Sequence, residues 1–190
     1  MSLEHILLGL LRQPASGYDL KAAIDSGIGH FWAAELSQIY PTLKKLQKSG
    51  LLRSRNAPSK RGPGRLVYET TAKGHTELAN WLKSGPQIGD ARHTFLAQIF
   101  LMDELKNYPS TLQFLEQLRD RWAMRLAALE GIEKMWSARV PNFPEALPLA
   151  EFHRHMTLRM GIESNRAWLA WCDESIHRVQ ERIRKEKNCG

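Results

Sequence analysis

Cysteine is scarce: Cys172 and Cys189 are the only two in 190 residues, and neither has a CxxC partner or a Cys/His neighbour at zinc spacing. That leaves no disulfide framework and no thiolate metal site, so both are expected to be reduced thiols without a special role. Long apolar runs are also missing. None reaches the roughly 18 to 20 residues a membrane span requires, and the opening Met1-Ser2-Leu3-Glu4-His5 lacks the basic region of a secretory signal. A soluble, cytoplasmic protein that does not engage a membrane is therefore expected. Neither a Walker-type phosphate loop, nor a GxSxG elbow, nor an HExxH motif occurs. His153 and His155, two apart, would point to different faces of a helix, which reads as solvated histidines rather than a metal pair. The expectation is a protein that is not an enzyme and carries neither metal nor cofactor.

What is present is an ordinary globular composition, 43% hydrophobic, with a net charge of +7 that is unevenly placed. Residues 1–85 hold 12 Lys+Arg against 6 Asp+Glu, net +6, while residues 86–190 hold 15 against 14, net +1. A basic first half suits a polyanionic partner, because Lys and Arg that neutralise phosphates supply most non-specific nucleic-acid affinity.

Periodicity divides the first half into short elements. Ser2 can cap a helix in which Leu3, Ile6, Leu7, Leu10 and Leu11 recur at three- and four-residue spacing up to Gln13-Pro14. The turn at 14–17 leads to a second helix over about 18–26, with Leu20, Ala23 and Ile24 inward. A third follows over about 36–48, its stripe Leu36, Ile39, Leu43 and Leu46 opposed by Ser37, Pro41, Lys44 and Lys48, with Gln38 and Lys45 beside them. Pro41 is tolerable only in a first helical turn. Gly50 closes that helix. Short strands are predicted at 51–55 and about 65–70, the second with Leu66, Tyr68 and Thr70 on one face and Val67 on the other. Between them Lys60 and Arg61 lie in a Gly- and Pro-rich cationic tip, and a helix over about 71–83 ends the unit.

The second half is helical by period. Asp90 can cap a helix running to about 106, and Ser110 to Gln113 offers a capping box. From there Leu112, Leu115, Leu118, Trp122, Leu126, Leu129, Ile132 and Trp136 step by three or four residues, close to a coiled-coil seam that needs a long partner. After Pro141 to Pro144 a last helix over about 147–187 carries Phe152, Met156, Met160, Trp171, Ile176, Val179 and Ile183. More apolar surface than one thin domain can cover implies an intimate homodimer, to which Leu115, Leu118, Trp122, Leu129, Trp136 and that last set are assigned. The tryptophans Trp122, Trp136, Trp168 and Trp171 also suit a cavity for a small hydrophobic or aromatic effector.

The order of three helices, strand, basic loop, strand and helix within about 85 residues is that of a winged helix-turn-helix. In such a unit the third helix shows a thin polar face to base edges in a major groove, and the hairpin sets cations near flanking phosphates. The alternative of another class is a winged helix that serves as a protein-interaction module without DNA.

The run Leu7-Leu8-Gly9-Leu10-Leu11, then Ser16-Gly17-Tyr18-Asp19-Leu20, then Ser37-Gln38-Ile39-Tyr40-Pro41 with Leu43-Lys44-Lys45-Leu46 and Gly50-Leu51, resembles the PadR family of transcriptional regulators. So does Gly62-Pro63-Gly64-Arg65 ahead of Val67-Tyr68, Thr71 and Gly74. Thr157 to Ile162 and Trp171 resemble the C-terminal helices of the branch that includes AphA-like virulence activators. The resemblance implies a homodimer on a palindromic operator, usually a repressor of its own operon or of a neighbouring efflux or detoxification gene. It makes Ser37, Gln38, Tyr40, Pro41, Lys44 and Lys45 the DNA-facing residues of the third helix, and Lys60, Arg61 and Arg65 the wing contacts. Leu66 stands where members of the family often carry another basic residue. The fold expected is mostly α: a winged-helix DNA-binding domain with a small β-hairpin wing at 1–86, then a C-terminal α-helical dimerisation domain at 87–190.

Overall fold

A computed structural model describes residues 2–59, 62–89 and 93–189. The chain forms two compact units, Met1–Gly89 and Asp90–Gly190.

The first unit contains α1 (Ser2–Leu10), α2 (Gly17–Gly27), α3 (Leu36–Lys48), the antiparallel strands β1 (Leu52–Ser59) and β2 (Gly62–Thr70), and α4 (Ala72–Lys83). Each element gives the centre one apolar face: Leu7, Leu8 and Leu11, then Leu20 and Ile24, then Ile39, Leu43 and Leu46, closed by Leu52, Tyr68 and Leu78. Fully burying a Leu or Ile contributes about 1.5–3 kcal/mol each, so this cluster fixes how the helices sit. Two details differ from the periodicity. Ser2 lies inside α1 rather than capping it. The hairpin is longer than predicted, since its pairing runs to Ser59 opposite Gly62. The faces of β2 alternate as expected, but burial does not follow the face alone: Val67 is only 3% exposed while Leu66, two pairs nearer the tip than Tyr68 and outside the core cluster, is 45% exposed.

The joint between α3, β1 and α4 is tight. Gly50 takes φ of +72°, the left-handed conformation that ends α3, and the Thr71 hydroxyl donates to the Gly50 carbonyl at 2.8 Å while accepting from the Gly74 N–H at 3.2 Å. A Cβ on Gly74 would lie 2.3 Å from the Leu51 carbonyl oxygen.

In the second unit α5 (Thr94–Phe100) gives way to a 3-10 turn at Met102–Leu105, followed by α6 (Tyr108–Ser137) and α7 (Leu149–Cys189). The continuous helix predicted up to 106 is broken at Leu101, whose backbone leaves the helical region. Its predicted cap, Asp90, lies outside the described residues. The start of α6 differs too: Asn107 is the cap, its side-chain oxygen accepting from the Ser110 N–H at 2.8 Å. Pro109 fits the first turn, where a missing N–H costs nothing, so the helix begins ahead of Ser110.

Helices α6 and α7 are antiparallel, as Glu133 meets His155 and Arg159 while Glu130 meets Arg166. On α7 the buried positions His155, Leu158, Ile162, Asn165, Cys172 and Ile176 fall on a three-and-four spacing, the seam of a coiled coil. The partner that the α6 stripe requires is thus α7 of the same chain. His153 is exposed, but the expectation of a solvated His155 is overturned: it is 7% exposed, its Nε2 3.0 Å from Glu133 Oε1, with the Phe143 ring 4.8 Å away. Its place on the seam spacing was masked by its polarity. Cys172 is buried and its thiol pKa is raised by that burial, in keeping with an unreactive cysteine.

Gly74→Ala is the sharpest test of the first unit. The new methyl must push the Leu51 carbonyl or the first turn of α4 aside, so urea denaturation should show a loss of about 1–3 kcal/mol. An unchanged midpoint would mean the joint is looser than described.

Candidate nucleic-acid interface

The polar face of α3 follows from its apolar one. With Ile39, Leu43 and Leu46 inward, Ser37, Gln38, Pro41, Lys44 and Lys48 are exposed. Gln38 also belongs to a reciprocal cap: its side-chain oxygen accepts from the Glu35 N–H at 3.0 Å, while the Glu35 side chain accepts from the Gln38 backbone N–H. The Gln38 amide NH₂ still faces outward from the helix start. Pro41 corrects the reading of α3, for it stands at the sixth helical position, beyond the first turn. It removes the bond that residue 41 would have donated to the Ser37 carbonyl. Both residues are exposed, so solvent can satisfy that oxygen.

Tyr40 is half-buried and packs on the core rather than standing free. Its ring meets Tyr18 edge-on at 6.3 Å, and a Cβ on Gly17 would come within 2.7 Å of it. Burial raises the pKa of its phenol. Tyr40 therefore joins the first turn of α2 to α3, and this explains the glycine at position 17.

Two of the predicted cations are paired within the chain. Lys45 Nζ lies 2.6 Å from Glu4 Oε1 of α1, and Arg65 Nη1 donates to both carboxylate oxygens of Asp19, each at 3.1 Å. Lys44 and Lys48 make no ion pair among the described residues. Lys60 and Arg61 lie outside the described residues. Sequence reasoning missed the acceptors Glu4, Asp19 and Glu35. For Asp19 and Glu35 a signal was available, since each stands three residues from a capping partner; for Glu4 there was none.

The residues assigned to dimerisation divide into three groups. Leu115, Leu129 and Ile176 are buried within the unit; Leu118, Trp122, Trp136, Trp171, Val179 and Ile183 are half-buried; Phe152, Met156 and Met160 are exposed. The last three continue from exposed Leu149 at spacings of three and four, an apolar stripe on the face of α7 turned from α6. Phe95 of α5 lies among Trp122, Trp168 and Trp171 at ring separations of 5.9, 5.3 and 6.3 Å. Trp122 Nε1 in that cluster is buried and makes no hydrogen bond among the described residues. Trp136 stands apart, near His155.

A three-helix core with a recognition helix, a β-hairpin wing and a separate helical unit defines a winged-helix transcriptional regulator. The comparisons agree. Residues 6–80 match the transcriptional regulator PadR-like family, and residues 91–180 match the C-terminal domain of the virulence activator alpha family. A Mycobacterium tuberculosis (strain H37Rv) protein described as probable transcriptional regulator Rv1176c is 31% identical over 96% of this chain and all of its own length. The negative transcriptional regulator PadR of Bacillus subtilis is 28% identical over 94% of this chain and 98% of its own. Among solved structures, Bacillus subtilis PadR in complex with operator DNA superposes with a TM-score of 0.77 at 24% identity, covering 94% of this chain and 99% of that one. The Vibrio cholerae virulence activator AphA gives 0.71 at 25%, covering 95% and 99%. The chain belongs to the PadR-like family of transcriptional regulators. These relatives are regulators and not enzymes.

Asp19 gives this region an acid dependence. Its carboxyl is held below its ordinary pKa, first by the Ser16 backbone N–H; burial opposes this, and the Ser16 hydroxyl and Arg65 reinforce it. A depressed carboxylate pKa contributes stability that is complete above the unfolded-state value and is lost as pH falls through the folded-state one. Asp19→Asn should therefore lower the urea midpoint at pH 7, and the gap to the parent should close as pH is taken below the ordinary carboxylate range. A gap that persists at pH 2 would show that the effect is not electrostatic.

Proposed function

We propose that this chain is a sequence-specific DNA-binding repressor that acts in the cytoplasm as a homodimer on a palindromic operator and is released by a small aromatic effector. The observation that carries the DNA reading is α3 itself. A fully buried apolar stripe forces Ser37, Gln38, Pro41, Lys44 and Lys48 outward on one face, in a chain whose relative is solved on operator DNA. In this reading Gln38 reads a base edge through its amide, Lys44 and Lys48 neutralise phosphates, and Lys60 and Arg61 do so from the wing. Ser37 and Pro41 line the groove-facing surface, and Tyr40 supports it from behind. Lys45 and Arg65 reach phosphate only by leaving their carboxylate partners.

The dimer reading is supported by the exposed stripe Leu149, Phe152, Met156 and Met160, an apolar face that a monomer would leave in water. A negative sign of regulation is supported by the name of the Bacillus subtilis relative. The effector reading is supported by the solved complex of Bacillus subtilis PadR with p-coumaric acid, 25% identical and with a TM-score of 0.73. The tryptophan cluster with its unpaired Trp122 N–H offers stacking faces and one donor to such a ligand. No helix of the described residues is long and apolar enough to cross a membrane.

The deciding experiment is a competition titration at fixed salt between the chain's own upstream DNA and random DNA. Tight, sequence-dependent binding is expected; equal, weak binding to both would favour an interaction module instead. Within that assay Gln38→Ala, which removes the amide without adding a charge, should cost about 1–3 kcal/mol on the operator and much less on random DNA. An unchanged operator-to-random ratio would remove Gln38 as a reader.

Light scattering should give about twice the 21.8 kDa chain mass. Met156→Glu with Met160→Glu should shift that mass toward the monomer, since both positions are exposed and need not disturb the α6–α7 seam. Addition of p-coumaric acid should quench tryptophan emission and release operator, with Trp122→Phe blunting both; emission indifferent to the acid would remove this ligand class from the cluster.

A further inference from the structure

The Asp19 carboxylate has more partners than a helix cap needs. Its Oδ2 accepts from the Ser16 N–H at 2.9 Å and the Ser16 hydroxyl at 2.8 Å, which completes the α2 cap. The same carboxylate receives Arg65 on both oxygens. It sits in the first turn of α2, where the helix dipole favours a negative charge, so the acceptor is anchored before Arg65 arrives.

Position along the hairpin gives this contact its consequence. The base of β2 is already tied down, because Ala15 and Tyr68 exchange backbone hydrogen bonds of 3.1 and 2.9 Å just ahead of α2. Arg65 lies three residues farther toward the tip. It pairs with Ala57 at the last regular rung, since the ladder becomes irregular between Ala57 and Ser59. Among the described residues, Arg65 supplies the side-chain bond that ties the wing to α2 beyond its base. Gly17 and Tyr18, in the same turn of α2 as Asp19, pack on Tyr40 of α3. One turn of helix thus touches both the recognition helix and the outer wing.

We propose that Asp19 is a positioning residue that sets the wing against the recognition helix through Arg65, and that Arg65 is the anchor of the wing rather than a phosphate contact. The proposal rests on the reading that α3 and the wing meet DNA, but its first test does not require DNA.

Amide hydrogen exchange on the free, full-length protein should show the ladder amides of Arg55, Ala57 and Arg65 exchanging about two- to five-fold faster in both Asp19→Asn and Arg65→Met, the range expected for one half-exposed ion pair. Tyr68 and Thr70 should be unchanged. The double variant should exchange no faster than either single one. Arg65→Met leaves the Ser16–Asp19 cap intact, so the test survives if Asp19→Asn loosens α2. Exchange unaltered in Arg65→Met, or additive effects in the double variant, would overturn the latch.

The second arm measures binding to random DNA as a function of salt. An anchoring Arg65 predicts that Arg65→Met keeps the slope of log K against log salt. A phosphate-contacting Arg65 predicts a slope shallower by about 0.9, and that result would overturn the assignment. A parent that fails to bind any DNA would instead strike the functional reading, while the exchange data would still decide whether Asp19 holds the wing.

Discussion

The first unit hangs on the inward face of α3. Ile39 and Leu43 are completely buried and Leu46 nearly so, against leucines from α1 and α2 and the first residue of β1. Rotating α3 by even half a turn would expose all three and bury lysines, at a cost no surface contact could offset. The outward polar face is therefore a by-product of core packing. The hairpin, α4 and the Thr71 cap each attach to an element whose place this stripe has already fixed.

What the sequence displays is mainly what repeats or punctuates locally. The helix order and the hairpin were visible in leucine spacing, glycines and prolines. The end of the predicted 90–106 helix was not. Pro41 misled although the boundary was right: a helix starting at 36 puts it at the sixth position, and it is accommodated there because Ser37, whose carbonyl is left without its donor, is exposed. The ion pairs that occupy two recognition cations were invisible for another reason. Lys45 and Glu4 are 41 residues apart and Arg65 and Asp19 are 46 apart, and charge counting cannot tell a lysine that faces solvent from one already matched. The outward positions of α3 were thus legible, but not which of the candidate cations are already paired within the chain.

In the second unit the same spacing marks two faces of α7, one buried and one exposed, that periodicity cannot separate. The three-and-four spacing on α6 and on the inner side of α7 is used up inside the chain, where Leu129 meets Leu158 and Ile162. Phe152, Met156 and Met160 continue the same kind of spacing one face over and remain exposed. An intramolecular seam and an intermolecular one look alike along a helix; only the angle between them distinguishes the two.

The reciprocal cap at the start of α3 has a consequence for how any contact there is made. A glutamine on an open helix surface samples many rotamers, and fixing such a side chain on binding costs about 0.5–1.5 kcal/mol. Gln38 is already fixed, because its oxygen holds the Glu35 N–H. Its ordering entropy is spent when the chain folds, so the remaining amide protons are presented in one direction before a partner arrives.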